Sequence, residues 1–233
     1  MYKNGEGVPQ DYAEAIHWYL KAAEQGDVNA QFNLGLMHDE GQGVAQNYIE
    51  ASRWYQKAAN QGDVNAQFNL GTMYDQGQGV PQDSAEAIRW YRKAAEQGDD
   101  YANLNLGLMY IAGQGVAQDY AEALRWFEKG AEGGSVECAN SLAWVLATCP
   151  DDKIRDGDRA IVIAKEVVEK EVSPRTLDTL AAAYAAAGRF EDAIYTQEQA
   201  IVELQKEAAN DYLEKGYLDR LQTYQSGKSW LKP

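Results

Sequence analysis

The chain is poor in the residue types that carry most protein chemistry. It has two cysteines, Cys138 and Cys149, and two histidines, His17 and His38, in 233 residues. Two cysteines build no disulfide framework. They lie eleven residues apart in one helical pattern, about 16 Å along a helix axis and beyond disulfide reach, so thiols are expected. Cys138 takes the place of Ala30, Ala66 and Ala102 and reads as a small core residue. Positive charge is scarce as well: 21 Lys and Arg stand against 36 Asp and Glu, a formal net charge of −15. A chain this acidic, with no basic patch, is repelled by nucleic acid and by anionic membrane surfaces. No apolar run of about 18 residues exists, which excludes direct membrane insertion. No basic stretch followed by an apolar one opens the chain at Met1, so no signal peptide is visible. The compartment stays open between cytoplasm and periplasm. What is present is a folded composition, 45% hydrophobic with 15 Tyr and 6 Trp.

Self-similarity dominates the rest. GVPQDYAEAI begins at Gly7, GVAQNYIEAS at Gly43, GVPQDSAEAI at Gly79 and GVAQDYAEAL at Gly115, a step of 36 residues each time. Asn33-Leu34-Gly35 returns as Asn69-Leu70-Gly71 and Asn105-Leu106-Gly107, then as Ser141-Leu142-Ala143. The first two units agree at 26 of 36 positions.

Each unit reads as two helices. Asp11 is placed to N-cap the first, with Glu14 three residues on, and Tyr12, Ala15, Ile16, Tyr19, Ala22 and Ala23 form its apolar stripe. Gln25-Gly26 ends it, and the second runs from near Asp27 to Gly41-Gln42-Gly43. Gly35 inside that helix costs about 1 kcal/mol relative to Ala. Its return at Gly71 and Gly107 points to an approach too close for a β-carbon. A lone helix pair cannot bury its stripe, whereas stacked pairs can. The expected fold is all-α, a right-handed α-solenoid of stacked antiparallel helix pairs. Trp54 and Trp90, in middle units, are expected to be largely buried and Trp18 more exposed.

The pattern A-x-x-x-L-G-x-M-Y-x-x-G-x-G-V, followed by D-Y-A-E-A-x-x-W-Y-x-K-A-A-x-x-G, resembles the Sel-one-like repeat, a relative of the tetratricopeptide repeat, over residues 1–148. The resemblance implies a protein-interaction scaffold with the L-G-x-M-Y helices lining the concave face. Residues 149–209 leave the period. Leu142-Ala143-Trp144 opens a helix, the connector Pro150 to Gly157 follows, then a helix to about Lys170, and Ser173-Pro174 starts another. Leu180, Ala181, Tyr184, Gly188, Ala193 and Ala200 resemble an ordinary tetratricopeptide unit. Residues 210–233 read as a capping helix, Asn210 to Gln225 with Tyr212, Leu213, Tyr217, Leu218, Leu221 and Tyr224 apolar, and a tail. Met1-Tyr2-Lys3-Asn4-Gly5-Glu6-Gly7 aligns with Met73 to Gly79, so the first unit reads as truncated and the chain as a fragment or one with a misassigned start.

The motifs that could carry chemistry are incomplete. His17 and His38 lack H-E-x-x-H spacing, and His38 replaces Tyr74 and Tyr110. The G-x-G pairs follow helices, as turn glycines do. Asp39–Glu50 and Asp75–Glu86 have the length of calcium loops but hold Gly41, Gly43 and Val44, or Gly77, Gly79 and Val80, where oxygen ligands and a glycine belong. Ser229-Trp230-Leu231-Lys232 spells S-x-x-K without the partner motifs of β-lactam enzymes. No cofactor, metal or catalytic residue is expected.

The leading reading is a non-catalytic scaffold that binds a peptide or partner domain in the groove. A self-assembling structural subunit is the alternative, and a β-lactam-processing enzyme ranks below both. A monomer is expected, with self-association through the uncapped N-terminal end as the competing outcome. The groove stripe reads Asn29, Asn33, Leu36, Glu40; then Asn65, Asn69, Thr72, Gln76; then Tyr101, Asn105, Leu108, Ala112; then Glu137, Ser141, Trp144, Thr148. Asn33, Asn69 and Asn105 either hold a peptide backbone or tie adjacent helices. Tyr101, Leu108, Ile111 and Trp144 form an expected apolar patch for a partner side chain.

Overall fold

The computed structural model describes residues 3, 7, 9–206 and 211–231. Its helices start where a short polar side chain takes the first unpaired backbone N–H groups. Asp11 accepts from the Glu14 N–H and opens α1 (Tyr12–Glu24); Asp27 accepts from Ala30 N–H and opens α2 (Val28–Glu40). Asn47, Asp63, Asp83 and Asp99 do the same for α3 (Tyr48–Asn60), α4 (Val64–Gln76), α5 (Ser84–Glu96) and α6 (Asp100–Ala112). Asp119, Ser135, Asp156 and Ser173 open α7 (Tyr120–Glu132), α8 (Val136–Thr148), α9 (Gly157–Lys170) and α10 (Pro174–Ala186). The last two are α11 (Phe190–Lys206) and α12 (Asp211–Gln225). Part of the acidity is thus capping chemistry, favoured further by the positive end of each helix dipole. The helices α2, α4 and α6 stop at Gly41, Gly77 and Gly113, each left-handed at φ 66–71°, a region glycine enters without steric cost.

The chain divides into two compact units, Met1–Ala117 and Gln118–Pro233. In the first, α1 to α6 stack as antiparallel pairs. The interlock is repeated: a β-carbon on Gly35 would sit 2.5 Å from the ring of Tyr55, and one on Gly71 would sit 2.8 Å from Tyr91. The close approach expected of these glycines is made by a tyrosine ring of the following helix. Phe32 and Phe68 tilt against the same rings at 5.8 and 5.6 Å. Buried glutamines add a second link: Gln31 and Gln67 donate to the carbonyls of Ala23 and Ala59, and accept from Gln61 and Gln97 one repeat on, at 2.8 Å. The loop glutamines Gln46 and Gln82 reach back to the carbonyls of Asp39 and Asp75 and pin the GVxQ turn to the preceding helix.

In the second unit α8, α9, α10, α11 and α12 pack in sequence, and α10 lies against both α8 and α9. Leu142-Ala143-Trp144 lies in the middle of α8, not at its start. The helix begins at Val136, because the Ser135 hydroxyl already caps it by accepting from Cys138 N–H. The connector is tied by Arg155, which donates to the Cys149 carbonyl at 2.9 Å and pairs with Asp152. Both units are all-α solenoid segments of stacked helix pairs.

Trp18 is 51% exposed and Trp90 is 2% exposed, as expected, but Trp54 is only half-buried. Its ring packs on the Ala23, Ala30 and Leu34 cluster and is covered by Lys57 at 3.8 Å, whereas Arg89 and Lys93 both lie over Trp90. The expected helix start at Asn210 lies outside the described residues. So do Met1, Tyr2, Asn4, Gly5 and Glu6 of the opening segment, Lys232 of the S-x-x-K run, and the side chains of Tyr212 and Leu213.

Candidate functional site

The stripe expected to line the groove is the face that α2, α4 and α6 turn away from the core. The helices bury Leu34, Met37, Leu70, Met73, Leu106 and Met109 on the adjoining side. Asn29, Glu40, Asn65, Gln76 and Ala112 are exposed, and Asn33, Leu36, Asn69, Thr72 and Asn105 half-buried. On this face Tyr101 is 68% exposed and Leu108 48% exposed, with Ile111 half-buried beside them in α6. Tyr101 also meets Phe68 of α4, centroid to centroid at 6.0 Å, which continues the apolar surface across two helices.

The asparagines are already engaged. Asn33 accepts from Lys3 Nζ at 2.9 Å and donates to the Asn29 carbonyl at 2.8 Å. Asn69 hydrogen-bonds the Tyr55 hydroxyl, which also donates to Asp39 at 3.2 Å, so one phenol ties α2, α3 and α4. Asn105 does the same for Tyr91, whose hydroxyl meets Thr72 Oγ1 at 3.1 Å. Burial, and then the Asp39 charge, push the Tyr55 phenol far above the usual tyrosine range. Burial pushes Tyr91 up too, and the Asp39 carboxyl above the usual carboxylate range. The amides of Asn69 and Asn105 therefore tie neighbouring helices, one of the two readings left open by the sequence.

Trp144 belongs to the second unit. There the guanidinium of Arg220 lies 5.7 Å from its ring, 4.8 Å from Tyr217 and 5.8 Å from Trp230. Arg220 Nε donates to Asp178 at 2.6 Å in a pair whose side chains are 13% and 9% exposed. Burial raises the Asp178 carboxyl above the ordinary range against the pull of Arg220. The Tyr224 hydroxyl is buried near Asp178 with no hydrogen-bond partner among the described residues. Sequence reading missed this cluster, since Asp178 and Arg220 are 42 residues apart and share no motif.

His17 is exposed and His38 half-buried, on separate helices. No group of three His, Cys, Asp or Glu among the described residues is placed to hold a metal ion. Ser229 of the S-x-x-K run donates to the Ala185 carbonyl at 2.8 Å. Cys138 and Cys149 are buried thiols. No helix among the described residues is long and apolar enough to cross a membrane.

The Sel1 repeat family model matches four consecutive stretches, residues 1–27, 28–63, 64–99 and 100–135. The chain belongs to the Sel1 repeat family. The family frame pairs α2 with α3 and α4 with α5, the same pairs joined by the Gly35–Tyr55 and Gly71–Tyr91 interlocks. The Sel1 repeat protein from Oxalobacter formigenes has 32% identity over 82% of this chain and 80% of its own, with a TM-score of 0.71. A protective antigen of uropathogenic Escherichia coli strains, which displays the same repeat fold, has 29% identity over 97% of this chain at a TM-score of 0.73. This chain spans about half, 52%, of that antigen. A thermophilic tetratricopeptide-repeat protein of Thermus thermophilus shares the fold at 18% identity and a TM-score of 0.51. No curated protein matches the chain. Sel1 repeats and their tetratricopeptide relatives typically mediate protein–protein interaction and are generally non-enzymatic scaffolds.

Proposed function

We propose that this Sel1 repeat chain is a non-catalytic scaffold whose first unit holds an extended partner segment in the groove lined by the solvent-facing stripe of α2, α4 and α6. The observation that carries this reading is the exposure of Tyr101 and Leu108 on that face, while Leu106, Met109 and Tyr110 of the same helix are buried. Folding alone does not require a tyrosine and a leucine largely exposed on one helix face, whereas a partner burying them gains apolar area and an aromatic anchor. Ile111 and Phe68 extend the patch. Asn33, Asn69 and Asn105 hold equivalent stripe positions on α2, α4 and α6, and an amide can both donate to and accept from a peptide backbone. The acidic end, Glu40 with Asp39 and Asp75, favours a partner with a basic flank.

The test is a double variant, Tyr101→Ala with Leu108→Ala, measured against a segment selected from a peptide library on the intact chain. Affinity should fall by about 2 kcal/mol, roughly thirtyfold, with the helical signal unchanged. Unchanged affinity in the folded variant refutes the reading.

A further inference from the structure

In the second unit a segment of the chain already reaches α10 beside the positions that correspond to the groove stripe. Leu142-Ala143-Trp144 of α8 aligns with Leu180-Ala181-Ala182 of α10, so Ala182 stands where Leu36, Thr72, Leu108 and Trp144 stand in the other helices. Those four are half-buried or exposed, but Ala182 is 2% exposed and Ala185, one turn on, 0%. Eleven of the thirteen residues of α10 are buried, against six of thirteen in α6. The residues after α12 return to this surface. Gly227 N–H bonds the Tyr224 carbonyl and Lys228 N–H the Thr223 carbonyl, closing the helix. The Ser229 hydroxyl then donates to the Ala185 carbonyl, and Trp230 stands 5.8 Å from the Arg220 guanidinium.

We infer that residues 229–231 are a resident ligand of a peptide site on the second unit, and that the site accepts in exchange an extended partner segment anchored by a tryptophan with a hydroxyl residue before it. Three features carry this. Asp178 holds Arg220 in place, so the guanidinium presents a fixed cationic plane, and such a plane is a specific seat for an aromatic ring. Trp144 and Tyr217 lie on the same guanidinium and flank that seat. The resident is lightly held: Trp230 is half-buried, Lys228 is exposed and Leu231 is 46% exposed. An occupant tethered by a few residues enjoys a high effective concentration, so a competitor binds with an apparent affinity lowered by the fraction of time the site is closed. The site is distinct from the first unit's patch and stands or falls without it.

The probe is a fluorescent peptide of residues 225–233, titrated into the full chain and monitored by anisotropy. The Trp230→Ala chain, with its resident weakened, should bind the peptide at least about tenfold more tightly than the wild type. The same peptide carrying alanine for Trp230 should not bind either chain. Ser229→Ala removes one hydrogen bond, leaves the fold undisturbed, and should tighten binding by about threefold, so a Trp230→Ala chain that misfolds leaves a second readout. Equal affinity for wild type and both variants, or no uptake by any of them, overturns the proposal and makes the segment a structural cap.

Discussion

At the scale of single residues, the glycines of the L-G pair make the sharpest statement. Gly71 sits in mid-helix, where alanine would be favoured by about 1 kcal/mol on propensity alone. The Tyr91 ring occupies the space that a β-carbon would need. Overpacking of this kind costs about 1–3 kcal/mol, so Gly71→Ala should destabilise despite its better helix propensity. Adding Tyr91→Leu to that variant should recover part of the loss, since the ring that collides is gone. Urea unfolding of the two single variants and the double variant checks this as a non-additive cycle. Additive losses would mean that the ring and the glycine do not share the space. The periodicity alone marked these glycines as constrained. It did not show that the constraint is an aromatic ring.

At the scale of elements, α12 is joined to α10 through Arg220 and Asp178. Removing one partner of a buried ion pair leaves a desolvated charge and costs about 3–5 kcal/mol, whereas an apolar pair of similar volume is often neutral. Asp178→Ala should therefore lower stability by that amount, and Asp178→Leu with Arg220→Met should restore most of it. Chemical denaturation with hydrogen exchange read on α10 and α12 gives the measurement. A double variant as weak as the single one would show that the pair supplies more than charge cancellation. The surface pairs, such as Arg53–Glu50 and Arg89–Glu86, lie on exposed helix turns and contribute little by comparison.

At the scale of the whole molecule, buried phenols set an alkaline limit. Tyr55, Tyr91 and Tyr224 are all held above the usual tyrosine range, chiefly by burial. A folded pKa above the unfolded value of about 10 leaves stability intact below that pH and removes it as pH rises further, because the unfolded chain then releases protons that the folded chain keeps. Unfolding midpoints should be flat up to about pH 10 in this respect and fall steeply beyond it. Absorbance of tyrosinate from these three residues should grow in step with loss of the helical signal. Tyr55→Phe should cost about 1 kcal/mol at neutral pH through its lost hydrogen bond, and the deficit should shrink as pH passes 10. A deficit that stayed constant from pH 8 to 11 would place the Tyr55 hydroxyl in contact with water.

The 36-residue period, the N-capping aspartates and the left-handed glycine stops fixed the helices and their stacking, because each is a local backbone requirement written into consecutive residues. The alternation of buried and outward positions on α2, α4 and α6 followed from the same periodicity. Tyr101 and Leu108 share one face on the sequence alone, since a helix places i, i+4 and i+7 on one side. Tertiary structure alone decided what fills the space between elements. It placed the Tyr55 ring on Gly35, gave the Asn69 amide to the Tyr55 phenol, and left Trp54 half-buried where its period-mate Trp90 is covered. It also brought Asp178, Arg220 and Trp230 together from three separate stretches of a region without the repeat. Such contacts depend on side-chain volume and charge at positions distant in sequence, and no local pattern encodes them.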